Sequence, residues 1–166
     1  ARLPWLLIGM LGGIGNSMIL GNFDTTFTAH PEMALYIPLI GGTGGNVGTQ
    51  SSALVVQGLA NSSLDANNTW KQILKESVVA LINATIISML VYIYNFARFG
   101  ATATVSYSVS LSLFAVVMFA SIFGTLVPLT LEKLKIDPAI ATGPFISITN
   151  DIIGMLLYMG ITVLLS

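Results

Sequence analysis

One acidic residue stands where a carboxylate is expensive: Asp151, inside the apolar run GPFISITNDIIGMLLYMG. An ionised side chain at the centre of a membrane helix costs about 2.5 to 3.5 kcal/mol on the translocon scale. No Lys or Arg falls within an apolar run to neutralise it. At about 100° per residue, Gly143, Ser147, Asp151, Gly154 and Tyr158 share one helical face, so the acid lies on a stripe of small and polar residues. Two roles fit: a protonated Asp hydrogen-bonded to a neighbouring helix, or a charge that meets a cation. Acids retained inside membranes favour the second. The remaining acids, six of seven, fall in connections or near the ends of apolar runs.

The second stretch with chemical content is PLIGGTGGNVGTQSSALVVQGLA, residues 38–60. Helical spacing puts Gly41, Gly45, Gly48 and Ser52 on one narrow face and Asn46, Gln50, Ala53 and Gln57 on another, roughly 140° away. Bare backbone on the first face lets another helix approach closely. Close packing explains the glycines, whereas three carboxamides on one membrane face require partners or water. Five glycines between Gly41 and Gly48, just after Pro38, also make the segment easy to distort. Packing and a water-filled path both remain open on these residues alone.

These stretches must be held by membrane helices. The chain has 166 residues, 54% hydrophobic and 8% charged, with a mean hydropathy of +0.85, whereas soluble domains carry about a quarter charged residues. It reads as an integral membrane protein. A net charge of -1 with six Lys or Arg and no basic run argues against a nucleic-acid partner. With no cysteine, thiolate metal sites and thiol catalysis are excluded, and a lone histidine, His30, excludes a histidine cluster. Any metal ligands must be oxygens, which suit hard cations such as magnesium, calcium or manganese. The glycine cluster lacks the Lys-Ser/Thr of a phosphate loop. A lone intramembrane Asp supplies no aspartyl dyad, and no serine has a histidine base within a span. An enzyme is therefore not expected.

The apolar runs predict an all-α integral membrane protein with five transmembrane helices, at about 3–21, 33–60, 78–96, 105–131 and 139–165. Thr69 and Gln72 match a capping box starting the helix that carries Trp70, Lys71 and Lys75, and Pro128 is expected to kink the fourth span. Asp24, His30 and Glu32 occupy the first connection. An odd number of spans puts the ends on opposite sides. Setting the N-terminus in the cytoplasm leaves Arg2, Lys71, Lys75, Lys133 and Lys135 inside and Arg98 outside, the distribution the positive-inside rule prefers; the C-terminus is then extracytoplasmic. Sequon-like triplets at Asn61, Asn67 and Asn83 would be cytoplasmic or intramembrane and carry little weight. The absence of an initiator Met suggests an excised piece or a processed product of a longer protein.

Three motifs, GGTGGNVGTQSS, KIDPAIATGPF and the Asp of NDIIGMLLY, together resemble the membrane domain of the MgtE family of magnesium channels, over essentially the whole chain. The resemblance implies a homodimer of five-helix protomers in the inner (plasma) membrane. Its central pore would be lined by the second and fifth spans, with a hydrated magnesium ion between two copies of Asp151. Manganese, cobalt and calcium are the other ions to consider. By the same resemblance, Ser147 matches a position whose backbone carbonyl faces the ion, Gly143 one where some relatives carry Asn or Ser, and Asp137 an acidic position at the cytoplasmic mouth. Gly42 and Asn46 match pore-lining positions, with Gln50 one turn further on. Gln57 stands where an Arg is expected. Cytoplasmic N-terminal and CBS regulatory domains of such proteins are absent from this chain, which reads as a single pore domain, 1–166. The rival reading is an ion-coupled antiporter or symporter in which the Pro38 glycine segment is unwound. A purely structural membrane subunit is the other.

Overall fold

The computed structural model describes residues 3–23, 28, 31–61, 69–99, 104–138 and 143–165. These form five long helices: α1 (Leu3–Gly21), α2 (Ile37–Ala60), α3 (Thr69–Phe99), α4 (Thr104–Lys133) and α5 (Pro144–Leu165), with a 3-10 turn, Pro31–Tyr36, leading into α2. No strand occurs among the described residues. Helices are what a bilayer permits, because each backbone polar group must then be satisfied within its own segment. α1, α3, α4 and α5 are long and apolar enough to cross a membrane. α2 has the length, 24 residues or about 36 Å, against a hydrocarbon core of about 30 Å. Its glycines and amides keep it less apolar than the others.

Helix limits differ from the apolar runs for local reasons. Residues 33–36, expected in the second span, belong to the 3-10 turn, and α2 starts at Ile37 with Pro38 in its first turn, where a missing N–H costs nothing. α3 begins nine residues before the apolar run expected at 78 and reaches 31 residues, about 46 Å. It therefore projects beyond the hydrocarbon at its Lys71 and Lys75 end. α4 continues through Pro128 to Lys133. It then closes in a Schellman arrangement, with the Ile136 N–H bonded to the Leu131 carbonyl at 2.9 Å and the Lys135 N–H to Glu132 at 3.1 Å. Lys135 takes the left-handed conformation, φ 61°, a place usually given to glycine. The Thr69 side chain of the expected capping box, Asp24, His30, Asn67 and residues 139–142 lie outside the described residues.

α4 is the hub, packed against α2, α3 and α5, while α1 lies along α5. Lipid tails are as apolar as leucine, so helices in a bilayer associate through close packing, and two crossings here, α2 on α4 and α1 on α5, come down to glycine. A Cβ on Gly124 of α4 would stand 2.6 Å from the Gly48 carbonyl oxygen of α2. One on Gly44 would stand 2.8 Å from Val116, and one on Gly12 of α1 would stand 2.6 Å from Ile148 of α5.

At one end, Met33, Tyr36, Ile40, Leu113, Val116, Tyr158 and Met159 form the buried core. Two tyrosine hydroxyls are drawn into it, and each finds an acceptor, as buried phenols must. Tyr158 donates to the Met33 carbonyl at 2.8 Å and Tyr36 to Asn95 Oδ1 at 2.6 Å. Together they tie the 3-10 turn to α5 and α3. On the same flank Ser108 of α4 and Thr162 of α5 share a hydrogen bond.

Candidate functional site

The α2 glycines divide between two environments. Gly44, Gly48 and Ser52 are buried, and Gly48 lies so close to α5 that a Cβ there would overlap the Asn150 amide. Gly41 and Gly45 instead face the acid. Ideal Cβ positions on them lie 3.7 and 4.0 Å from Asp151 Oδ1, and the one on Gly45 lies 3.9 Å from Ser147 Oγ. The face read as one stripe follows α5 along its length, but it opens on the acid at Gly41 and Gly45 and closes at Gly48, where Asn150 and Ile146 of α5 and Gly124 of α4 press against it. With no side chains on Gly41 and Gly45, α2 presents backbone to the carboxylate.

Between α1, α2 and α5 opens a cleft of about 430 Å³ that brings Asp151 and Ser147 together with Gly42, Asn46, Thr49 and Asn16. Of the residues singled out from the sequence, Asp151, Ser147, Gly42 and Asn46 line it. Gln50 is exposed and is not among the lining residues. Gly143 lies one turn before Ser147, whose N–H reaches the Gly143 carbonyl at 3.4 Å, and a Cβ there would meet nothing within 4 Å among the described residues. Asp137 is exposed in the connection after α4. Among the described residues no three His, Cys, Asp or Glu side chains come together as a metal-holding group. The cleft therefore offers one carboxylate among neutral oxygens, a set that suits an ion retaining its waters better than one stripped of them.

Sequence reasoning missed three residues. Asn16 and Thr49 also line the cleft. Thr49 donates to the Gly45 carbonyl at 2.7 Å, which leaves its oxygen able to accept. Asn16 could have been found: it is the only carboxamide in the apolar run of α1, and an amide in such a run asks for a partner. The third is Glu76, assigned from the sequence to a span end. It lies near the start of α3, one position after Lys75, half-buried, and accepts a hydrogen bond from the buried Ser51 hydroxyl of α2 at 3.0 Å. A larger groove of about 510 Å³ between α3 and α4, walled by residues such as Met89, Ile93, Leu111 and Phe114, has no charged side chain among its described lining residues.

Fold and cleft define a helical membrane protein with an intramembrane acidic site, and the comparisons with known proteins specify its kind. A sequence model of the MgtE family, described as divalent cation transporters, matches residues 37–161. The chain belongs to this family, whose members are membrane transporters and not enzymes. It is 34% identical over 160 residues to the magnesium transporter MgtE of Bacillus subtilis, covering 96% of this chain and 35% of that protein. It is 33% identical over 165 residues to the magnesium transporter MgtE of Thermus thermophilus, covering 99% of this chain and 36% of that protein. The chain spans about a third of the length of the curated relatives it matches.

Proposed function

We propose that residues 1–166 are the pore-forming domain of a magnesium channel, which conducts the hydrated ion down its electrochemical gradient along the axis of a homodimer. Two copies of Asp151 would face each other across that axis, with α2 and α5 of each protomer forming the wall. The observation that carries this reading is the Asp151 carboxylate in a cleft whose opposite wall is the glycine backbone of α2. Magnesium sheds its waters reluctantly. A site of one carboxylate per protomer with Ser147, Asn46 and backbone groups can hold the water shell without replacing it. Two empty carboxylates would repel each other, and a divalent ion removes that penalty.

Passive entry is sufficient, since a divalent ion gains about 4.6 kcal/mol per 100 mV, twice the single-charge value. The rival ion-coupled transporter gains least support from α2, which runs unbroken from Ile37 to Ala60 through its glycines instead of unwinding. Within the inner (plasma) membrane we place the N-terminus in the cytoplasm and the C-terminus outside, on the distribution of Lys and Arg. Asp137 then stands at the cytoplasmic mouth, while Gly143 and Gln50 flank the path. The greater length of the relatives leaves room for cytoplasmic regulatory domains. Manganese, cobalt and calcium are the competing ions.

The test is flux in liposomes across a metal series, wild type against Asp151→Asn. That substitution keeps the shape and removes one charge per protomer, so divalent flux should fall by at least tenfold while the protein stays folded. Unchanged flux would remove Asp151 from the ion path.

A further inference from the structure

We propose that Asn16 of α1 belongs to the ion site, its side-chain amide accepting a hydrogen bond from the water shell of the divalent cation at Asp151. The inference rests on the reading of the cleft as the ion's path and adds a third helix to it. Position is the first argument. Gly12 lets α1 approach α5 until a Cβ would stand 2.6 Å from Ile148. One turn further along each helix come Asn16 and Ile152, and both Asn16 and Asp151 line the cleft. Farther on, Leu20 packs against the core that contains Tyr158 and Met159. α1 and α5 therefore run side by side with Asn16 level with the acid.

The second argument is an unmet hydrogen bond. Asn16 Oδ1 is buried and has no hydrogen-bond partner among the described residues, an unmet need that is costly in an apolar setting. Nothing else on α1 answers that need, since Ser17 donates to the Gly13 carbonyl at 3.1 Å. In the cleft, Thr49 already donates to Gly45. A carboxamide oxygen is an acceptor, and water polarised by a divalent cation is a strong donor. Asn16 thus has the chemistry to recognise a hydrated cation from the α1 wall of the cleft, and it brings no charge of its own to bind a monovalent ion tightly.

The experiment compares purified wild type, Asn16→Leu, Asn16→Asp and Asp151→Asn for magnesium-dependent thermal stabilisation in detergent and magnesium flux in liposomes. Removing the acceptor in Asn16→Leu should raise the half-saturating magnesium concentration about tenfold, the usual loss for an outer-sphere partner, without lowering the melting temperature in the absence of magnesium. Asn16→Asp keeps an oxygen there and should bind magnesium at least as tightly as wild type. If Asn16→Leu does not fold, Asn16→Ala carries the same expectation. Wild-type half-saturation in the Leu or Ala variant overturns the inference while leaving Asp151 in place. Insensitivity of wild-type protein to magnesium, or of flux to Asp151→Asn, overturns the channel reading beneath it and the inference with it.

Discussion

At the scale of single residues, the glycines of this protein do three different jobs, and substitution separates them. Gly124 meets backbone: its added methyl would face the Gly48 carbonyl oxygen at 2.6 Å and the Gly48 Cα at 3.2 Å, neither of which can rotate away. Gly124→Ala should therefore cost about 1 to 3 kcal/mol, read as a lower melting temperature in detergent. Gly42→Ala, with nothing within 4 Å, should melt like wild type, and equal melting of the two variants would show that the α2–α4 crossing is looser than described. Gly45 is the intermediate case. A methyl there fits, at 3.9 Å from Ser147 Oγ and 4.0 Å from Asp151 Oδ1, but occupies the cleft, so Gly45→Ala should reduce flux with melting unchanged. Buried beside Gly48, Asn150 is only 1% exposed, and neither polar atom of its carboxamide has a partner among the described residues. That packing is why Gly48 is the least replaceable glycine of α2.

At the scale of elements, the 3-10 turn depends on one long-range hydrogen bond to α5. Tyr158→Phe removes the donor to the Met33 carbonyl without opening a cavity, and we expect a loss of about 1 kcal/mol in stability, measurable by thermal melting. No change would mean that apolar packing alone seats the turn. The existence of the helices was legible because unbroken apolar runs in a bilayer have one regular solution. Their ends were less so: residues 69–77 are polar enough to leave the hydrocarbon yet stay helical, and residues 33–36 are apolar yet form a tighter turn. The acid of the cleft and its α2 wall were legible from Asp151, Ser147, Gly42 and Asn46. Asn16 was legible only as a lone carboxamide in an apolar run, and Glu76 was not legible, since its partner Ser51 lies on another helix. Helical arithmetic also placed Gly41 and Gly48 on one face; it has no knowledge that α5 leaves a cleft beside Gly41 and closes tightly on Gly48.

At the scale of the whole molecule, a pore that keeps the ion hydrated makes a prediction about size. An exchange-inert hexaammine complex resembles hydrated magnesium but cannot give up its ligands, so it should compete with magnesium and block flux, and Asp151→Asn should weaken that block by removing the charge that holds it. Indifference to the complex at concentrations well above half-saturating magnesium would point to an ion that binds Asp151 directly. The polarity that suits α2 to this task has a consequence for how the protein is made. Uncharged but rich in glycine and amides, α2 gains little from entering a bilayer by itself, and its buried face is completed by Gly124 of α4 and Asn150 of α5. Both partners are synthesised after it. During biogenesis α2 must therefore wait, beside the translocon or in a shallow position, until helices from later in the chain arrive to retain it, so the order of translation runs opposite to the order in which this segment becomes secure.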